Sequence, residues 1–117
     1  ILLIRFENMA IVRKFLVTEN YSKIDNKVAC NKDISDYSYR LYGYVSGFRN
    51  GFQLNDTYIA KSLGWSTEKV RRAKRDLKKA NLILIDQIDR ATYFLYIGSS
   101  KIGASQVKEH WEEYEKL

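Results

Sequence analysis

Apolar residues recur along this chain at two spacings, and the change from one to the other marks its elements. Ala10 to Val17, AIVRKFLV, is β-branched and aromatic and predicts a strand. Glu19 to Asp33 is polar and turn-rich, with Lys27 to Cys30 as a candidate short strand inside it. Tyr37, Leu41, Tyr44, Val45 and Phe48 then fall at helical spacing, predicting a helix over Asp36 to Ser46 with Ser35 as its cap. Tyr39 and Tyr42 lie off that stripe, and Gly47 and Gly51 bracket the helix end and its loop.

Asn55 is placed to cap a second helix, Asp56 to Leu63, with Leu54 and Ile59 as a hydrophobic staple. Ile59, Ala60 and Leu63 face inward, and Gly64 ends the helix in the left-handed conformation. Ser66 caps a third helix, Thr67 to Ala80, whose buried stripe is Val70, Ala73 and Leu77; Asn81 suits its left-handed end. Leu82 to Gln87 and Thr92 to Ile97 alternate as strands around a turn at Ile88 to Ala91, with Asp89 and Arg90 at the tip. Gly98 to Gly103 reads as a link. A last helix, capped by Ser105 and running through Tyr114, carries Val107, Trp111 and Tyr114 on one face and Glu109, Glu112, Glu113 and Glu115 outside.

These elements belong to one domain, because 117 residues bury one core and not two. The expected layout is 1–8 an expression leader or disordered start, 9–34 a strand and polar loop, 35–97 the main fold, and 98–117 a linker and helix. Met9 makes a natural initiator, and Ile1 to Ile4 is too short for a signal-peptide core. Hydrophobic residues at 45% and charged residues at 29% are those of a globular chain. A single cysteine, Cys30, allows no internal disulfide and fits a cytoplasmic location; we read it as a buried small residue or an idle thiol. One histidine, His110, is expected on the surface of the acidic helix. With these, no metal site or activated nucleophile assembles, so neither an enzyme nor a cofactor is expected. No apolar run reaches the ~20 residues that span a membrane.

The net charge of +6 favours a polyanionic partner. On a wheel of ~100° per residue, Glu68, Arg71, Arg72, Arg75 and Lys79 of the third helix fall opposite Val70, Ala73 and Leu77. Lys69, Lys74 and Lys78 lie on its flanks. A capped helix, a glycine turn, a basic helix and a hairpin form the outline of an α+β winged helix-turn-helix: a three-helix core with a β-hairpin wing, here with an extra N-terminal strand and C-terminal helix. In that reading Ser66, Thr67 and Glu68 lie nearest base edges in the major groove, with Arg71 and Arg72 a turn further in. Arg75, Lys79, Thr57, Lys61 and Arg90 are candidates for the DNA backbone, and Lys69 is a further DNA-binding candidate with no contact assigned. Asp86 and Asp89 make the wing acidic, which argues against deep insertion. Trp65, in the turn, is expected to plug the core rather than stack on a base. Tyr37, Tyr44, Tyr58, Tyr93 and Tyr96 are expected in the core or at its rim.

The run Arg40-Leu41-Tyr42, then Ile59-Ala60-Lys61-Ser62-Leu63-Gly64-Trp65-Ser66, then Val70-Arg71-Arg72-Ala73 and Ala80-Asn81-Leu82-Ile83, resembles the winged-helix domain of Gram-positive phage replisome organisers and plasmid replication initiators. Small transcription regulators share the domain type. The resemblance spans Ser35 to Ile97 and implies groove-facing roles for Ser66, Thr67, Arg71 and Arg72. The frequent Lys, Asn, Ile and Tyr suit an AT-rich bacterial or phage source. Replisome organisers usually continue into a second domain, so a fragment and a stand-alone protein both remain open. The expected partner is double-stranded DNA, in replication initiation or transcription regulation. The alternative is a protein-interaction module of a replication or regulatory complex. Val107, Trp111 and Tyr114 offer a homodimer face, or fold back on the first helix and opening strand.

Overall fold

The computed structural model describes residues 9–15, 31–98 and 102–116. The elements run β1 (Met9–Phe15), α1 (Asp36–Ser46), β2 (Gln53–Leu54), α2 (Asp56–Leu63), α3 (Thr67–Lys79), β3 (Ile83–Gln87), β4 (Thr92–Gly98) and α4 (Ala104–Glu115). The fold is α+β: the described residues form four helices and a mixed four-stranded sheet ordered β2-β1-β4-β3. The expectations for residues 1–8, for the loop before Asn31, for a strand at Lys27 to Cys30 and for Cys30 lie outside the described residues.

The helix boundaries follow from their caps. The Ser35 hydroxyl accepts from the Ser38 amide, the Asn55 side chain from Tyr58, and the Ser66 hydroxyl from Lys69. Gly64 ends α2 at φ 70°, and Asn81 follows α3 at φ 62°. Ser105 does not cap α4. The N-cap is Gly103, whose amide donates to the Gln106 side chain at 2.9 Å, so Ser105 falls inside the first turn.

The sheet separates two layers of packing. Ala10, Val12, Ile83, Tyr93, Leu95 and Ile97 face α1, α2 and α3 and join Leu41, Ile59, Val70 and Leu77 in the main core. Phe94 and Tyr96 face the other way and are covered by α4. β4 is therefore buried on both faces, as its unbroken apolar run requires. The opening strand, placed by its sequence ahead of the main fold, lies inside the sheet. β1 is parallel to β4, with Val12 opposite Leu95, and antiparallel to β2, with Ala10 opposite Leu54.

Two packing expectations are corrected here. On α1 the buried positions are Ser38, Leu41, Tyr42 and Val45, not the stripe through Tyr37 and Tyr44. Tyr42 reaches the Gly98 carbonyl with its hydroxyl at 3.0 Å, so its polar tip is satisfied in the core. The displaced rings form a half-buried ridge instead, with Tyr44 edge-on to Phe48 and Phe48 stacked on Phe52 at 4.4 Å. His110 is not a plain surface residue: it sits edge-on to Phe94 at 4.4 Å, with Nδ1 2.9 Å from the Tyr96 hydroxyl. Gly98, assigned to the linker, is the last residue of β4.

Candidate nucleic-acid interface

α3 owes its orientation to one apolar stripe and two polar tethers. Val70, Ala73 and Leu77 are 0%, 0% and 1% exposed, so the opposite side of the helix must face outward. Ala73 leaves α3 room to approach its neighbours closely. On the α1 side, Asp76 accepts from the Ser35 amide at 3.1 Å, the Ser35 hydroxyl at 3.0 Å and the Ser38 hydroxyl at 2.8 Å. These donors hold its carboxyl below the ordinary aspartate range, with Lys79 adding to the effect.

On the opposite flank lies Lys74, which its helical position put at the helix edge. It is buried, and its ammonium donates to Asp56 in the first turn of α2 and to the Tyr93 hydroxyl of β4 at 2.7 Å. Burial disfavours the charge, but Tyr93 and Asp56 outweigh it and the pKa is raised. Helical spacing alone gave no signal for this node, because its partners come from two other elements.

The outward face carries Arg71, Arg72, Arg75, Lys78 and Lys79, all exposed, with Glu68 as its acidic member. Arg72 reaches Glu68 at 3.4 Å, one helical turn away, and Arg71 lies 3.8 Å from Asp56. Both guanidinium side chains remain more than half exposed, at 58% and 64%. Ion pairs this open are worth ~0–1 kcal/mol and are readily exchanged for a phosphate or a base edge. Among the described residues, Arg75 and Lys78 face no carboxylate within ion-pair distance.

The remaining candidates divide by element. Ser66 is exposed at the N-cap of α3, with Thr67 half-buried behind it. Lys69 is half-buried, its ammonium 4.8 Å from the centre of the Trp65 ring and 5.5 Å from that of Tyr37. Lys61 is exposed on α2 and Thr57 half-buried there. Arg90 is exposed at the turn between β3 and β4. The two acidic residues of that hairpin have internal partners. Asp89 accepts from the Ala91 amide at 2.9 Å, and Asp86 from the Trp111 indole at 2.7 Å. Trp65 is half-buried and meets Tyr37 edge-on at 6.1 Å, in a rim position rather than a sealed core.

No helix among the described residues is long and apolar enough to cross a membrane. Among the same residues no group of three or more His, Cys, Asp or Glu is placed to hold a metal ion. Compared with protein-family models, curated proteins and solved structures, the chain finds no match.

Proposed function

We propose that this chain is a sequence-specific double-stranded DNA-binding domain of winged-helix type, with α3 as the recognition helix. The order α1-β2-α2-α3-β3-β4 supports that architecture, with the β3–β4 hairpin as the wing and β1 and α4 as additions. The observation that carries the reading is the division of α3: Val70, Ala73 and Leu77 are sealed in the core, and the opposite face is a run of exposed guanidinium and ammonium groups. Arg71 and Arg72 have the bidentate donors that grip guanine edges, and Glu68 can accept from a cytosine amino group. Arg75, Lys79 and Lys61 are assigned to phosphates, as is Arg90 on the wing. The role served is replication initiation or transcription regulation of a plasmid or phage, and no catalytic step belongs to it.

Binding to duplex DNA should weaken steeply with salt. About four to six phosphate contacts give a log–log slope of roughly −4 to −5. Arg72→Ala should cost specific binding on the order of 1–3 kcal/mol. Fluorescence anisotropy of labelled duplex across a salt series measures both. Wild-type affinity in the Arg71→Ala, Arg72→Ala double variant removes α3 from the interface.

A protein-interaction module is the second reading, favoured by the Tyr44, Phe48 and Phe52 ridge, which runs on to Tyr58, 48% exposed on α2. Burial of that ridge against a partner would proceed with little dependence on salt.

A further inference from the structure

Beside α3, on the flank facing α1, two cations share one aromatic ring. The Arg40 guanidinium carbon of α1 lies 5.8 Å from the centre of the Trp65 ring, and the Lys69 ammonium of α3 lies 4.8 Å from it. Tyr37 braces the arrangement, edge-on to the indole and 5.5 Å from the Lys69 ammonium. The ring itself is set by the backbone: Gly64 turns left-handed, and the Trp65 amide donates back to the Ala60 carbonyl at 2.8 Å.

Cations attach to such faces because the π system is electron-rich. Two like charges on one indole, however, repel each other unless an anion joins them. Among the described residues no carboxylate comes within 4.0 Å of either, whereas Arg71 and Arg72 each meet one of the chain's own. The pair is thus held in place and left unneutralised. A planar guanidinium and a compact ammonium drawn to one ring offer the donors that a tetrahedral anion with several acceptor oxygens takes.

The geometry points to a phosphate clamp: Arg40 and Lys69, seated on Trp65, take a backbone phosphate of duplex DNA and extend the interface from α3 onto α1. The inference rests on α3 being the DNA-reading helix, and it adds a residue of α1 that helical patterning of α3 could not supply. Because Trp65 holds both side chains in advance, less freedom is lost when the phosphate arrives.

Salt-dependent binding to a short labelled duplex of mixed sequence tests the clamp, since phosphate contacts need no particular site. Arg40→Ala and Lys69→Met should each weaken binding, and the double variant should flatten the log–log salt slope by about 0.9, while Arg40→Lys keeps it. A change confined to stability would not alter that slope. In a Trp111→Phe background, Trp65 emission should change as duplex is added. A wild-type slope in the Arg40→Ala, Lys69→Met double variant, with Arg75→Ala still flattened, overturns the clamp and leaves the recognition helix standing. Binding with unchanged Trp65 emission also places the phosphate elsewhere. A wild-type protein that fails to bind duplex at low salt overturns the clamp and the DNA reading together.

Discussion

Asp76 shows how much a single carboxylate does in this chain. Its oxygen gathers three donors from the N-terminal end of α1, and one of them, the Ser35 hydroxyl, also caps that helix. Asp76→Ala should therefore loosen α1 from α3 and lower stability by about 1–2 kcal/mol in urea denaturation, modest because the carboxylate is only half-buried. The pH dependence has a definite sign. The folded pKa lies below the ordinary 3.8, so the unfolded chain protonates first as acid is added. The stabilisation is full above about pH 3.8 and is lost as pH falls through the folded value. Comparing wild type with Asp76→Ala at neutral pH and near pH 3 should show the difference between them shrinking in acid.

At the scale of elements, the Lys74, Asp56 and Tyr93 node ties α3 to α2 and to β4 at one point. The apolar stripe sets which side of α3 is down, but a stripe of Val, Ala and Leu permits sliding and rolling. Directional bonds from a buried ammonium do not. Removing the ammonium strands a partly buried carboxylate, so Lys74→Ala should cost roughly 2–4 kcal/mol in chemical denaturation. Asp56 also faces Arg71 at 3.8 Å. The buried tether and the exposed cationic face thus share one carboxylate, and Lys74→Ala should draw Arg71 closer to it. A duplex-binding loss in Lys74→Ala larger than its stability loss explains would report that coupling.

Across the whole molecule, the sheet is a shared wall with unequal sides. The main core lies between it and three helices. Among the described residues the other side is covered by α4 and by Ile102 just ahead of it, and no residue of α4 is fully buried. α4 is held by Trp111 on Asp86, His110 on Tyr96 and Glu113 on Arg13 at 3.4 Å. Burial and then the Arg13 guanidinium push the His110 pKa below its ordinary 6.5, against the opposing pull of Glu113. Tyr96, buried and near Asp86, is pushed up to about 12 and stays protonated. A depressed histidine pKa means that undocked α4 takes up the proton more readily. Docking should weaken as pH falls below 6.5 and level off once His110 is charged in both forms. Trp111 emission in a Trp65→Phe background should follow that change, and His110→Gln should flatten it.

Local chemistry was enough to predict the caps at Ser35, Asn55 and Ser66, the left-handed turns at Gly64 and Asn81, and the hairpin. It was also enough for the Val70, Ala73 and Leu77 stripe, and hence for which cations of α3 point outward. Each of these depends on residues a few positions apart, whose geometry a helix or turn dictates. The placement of β1 between β2 and β4, the burial of Tyr42 and Lys74, the capture of Asp86 by Trp111 and the meeting of Arg40 with Trp65 depend on segments far apart in the chain. A two-residue strand such as β2 carries no periodicity to read. A buried tyrosine or lysine looks like a surface one until the carbonyl, carboxylate or hydroxyl that satisfies it is brought alongside, and only packing does that.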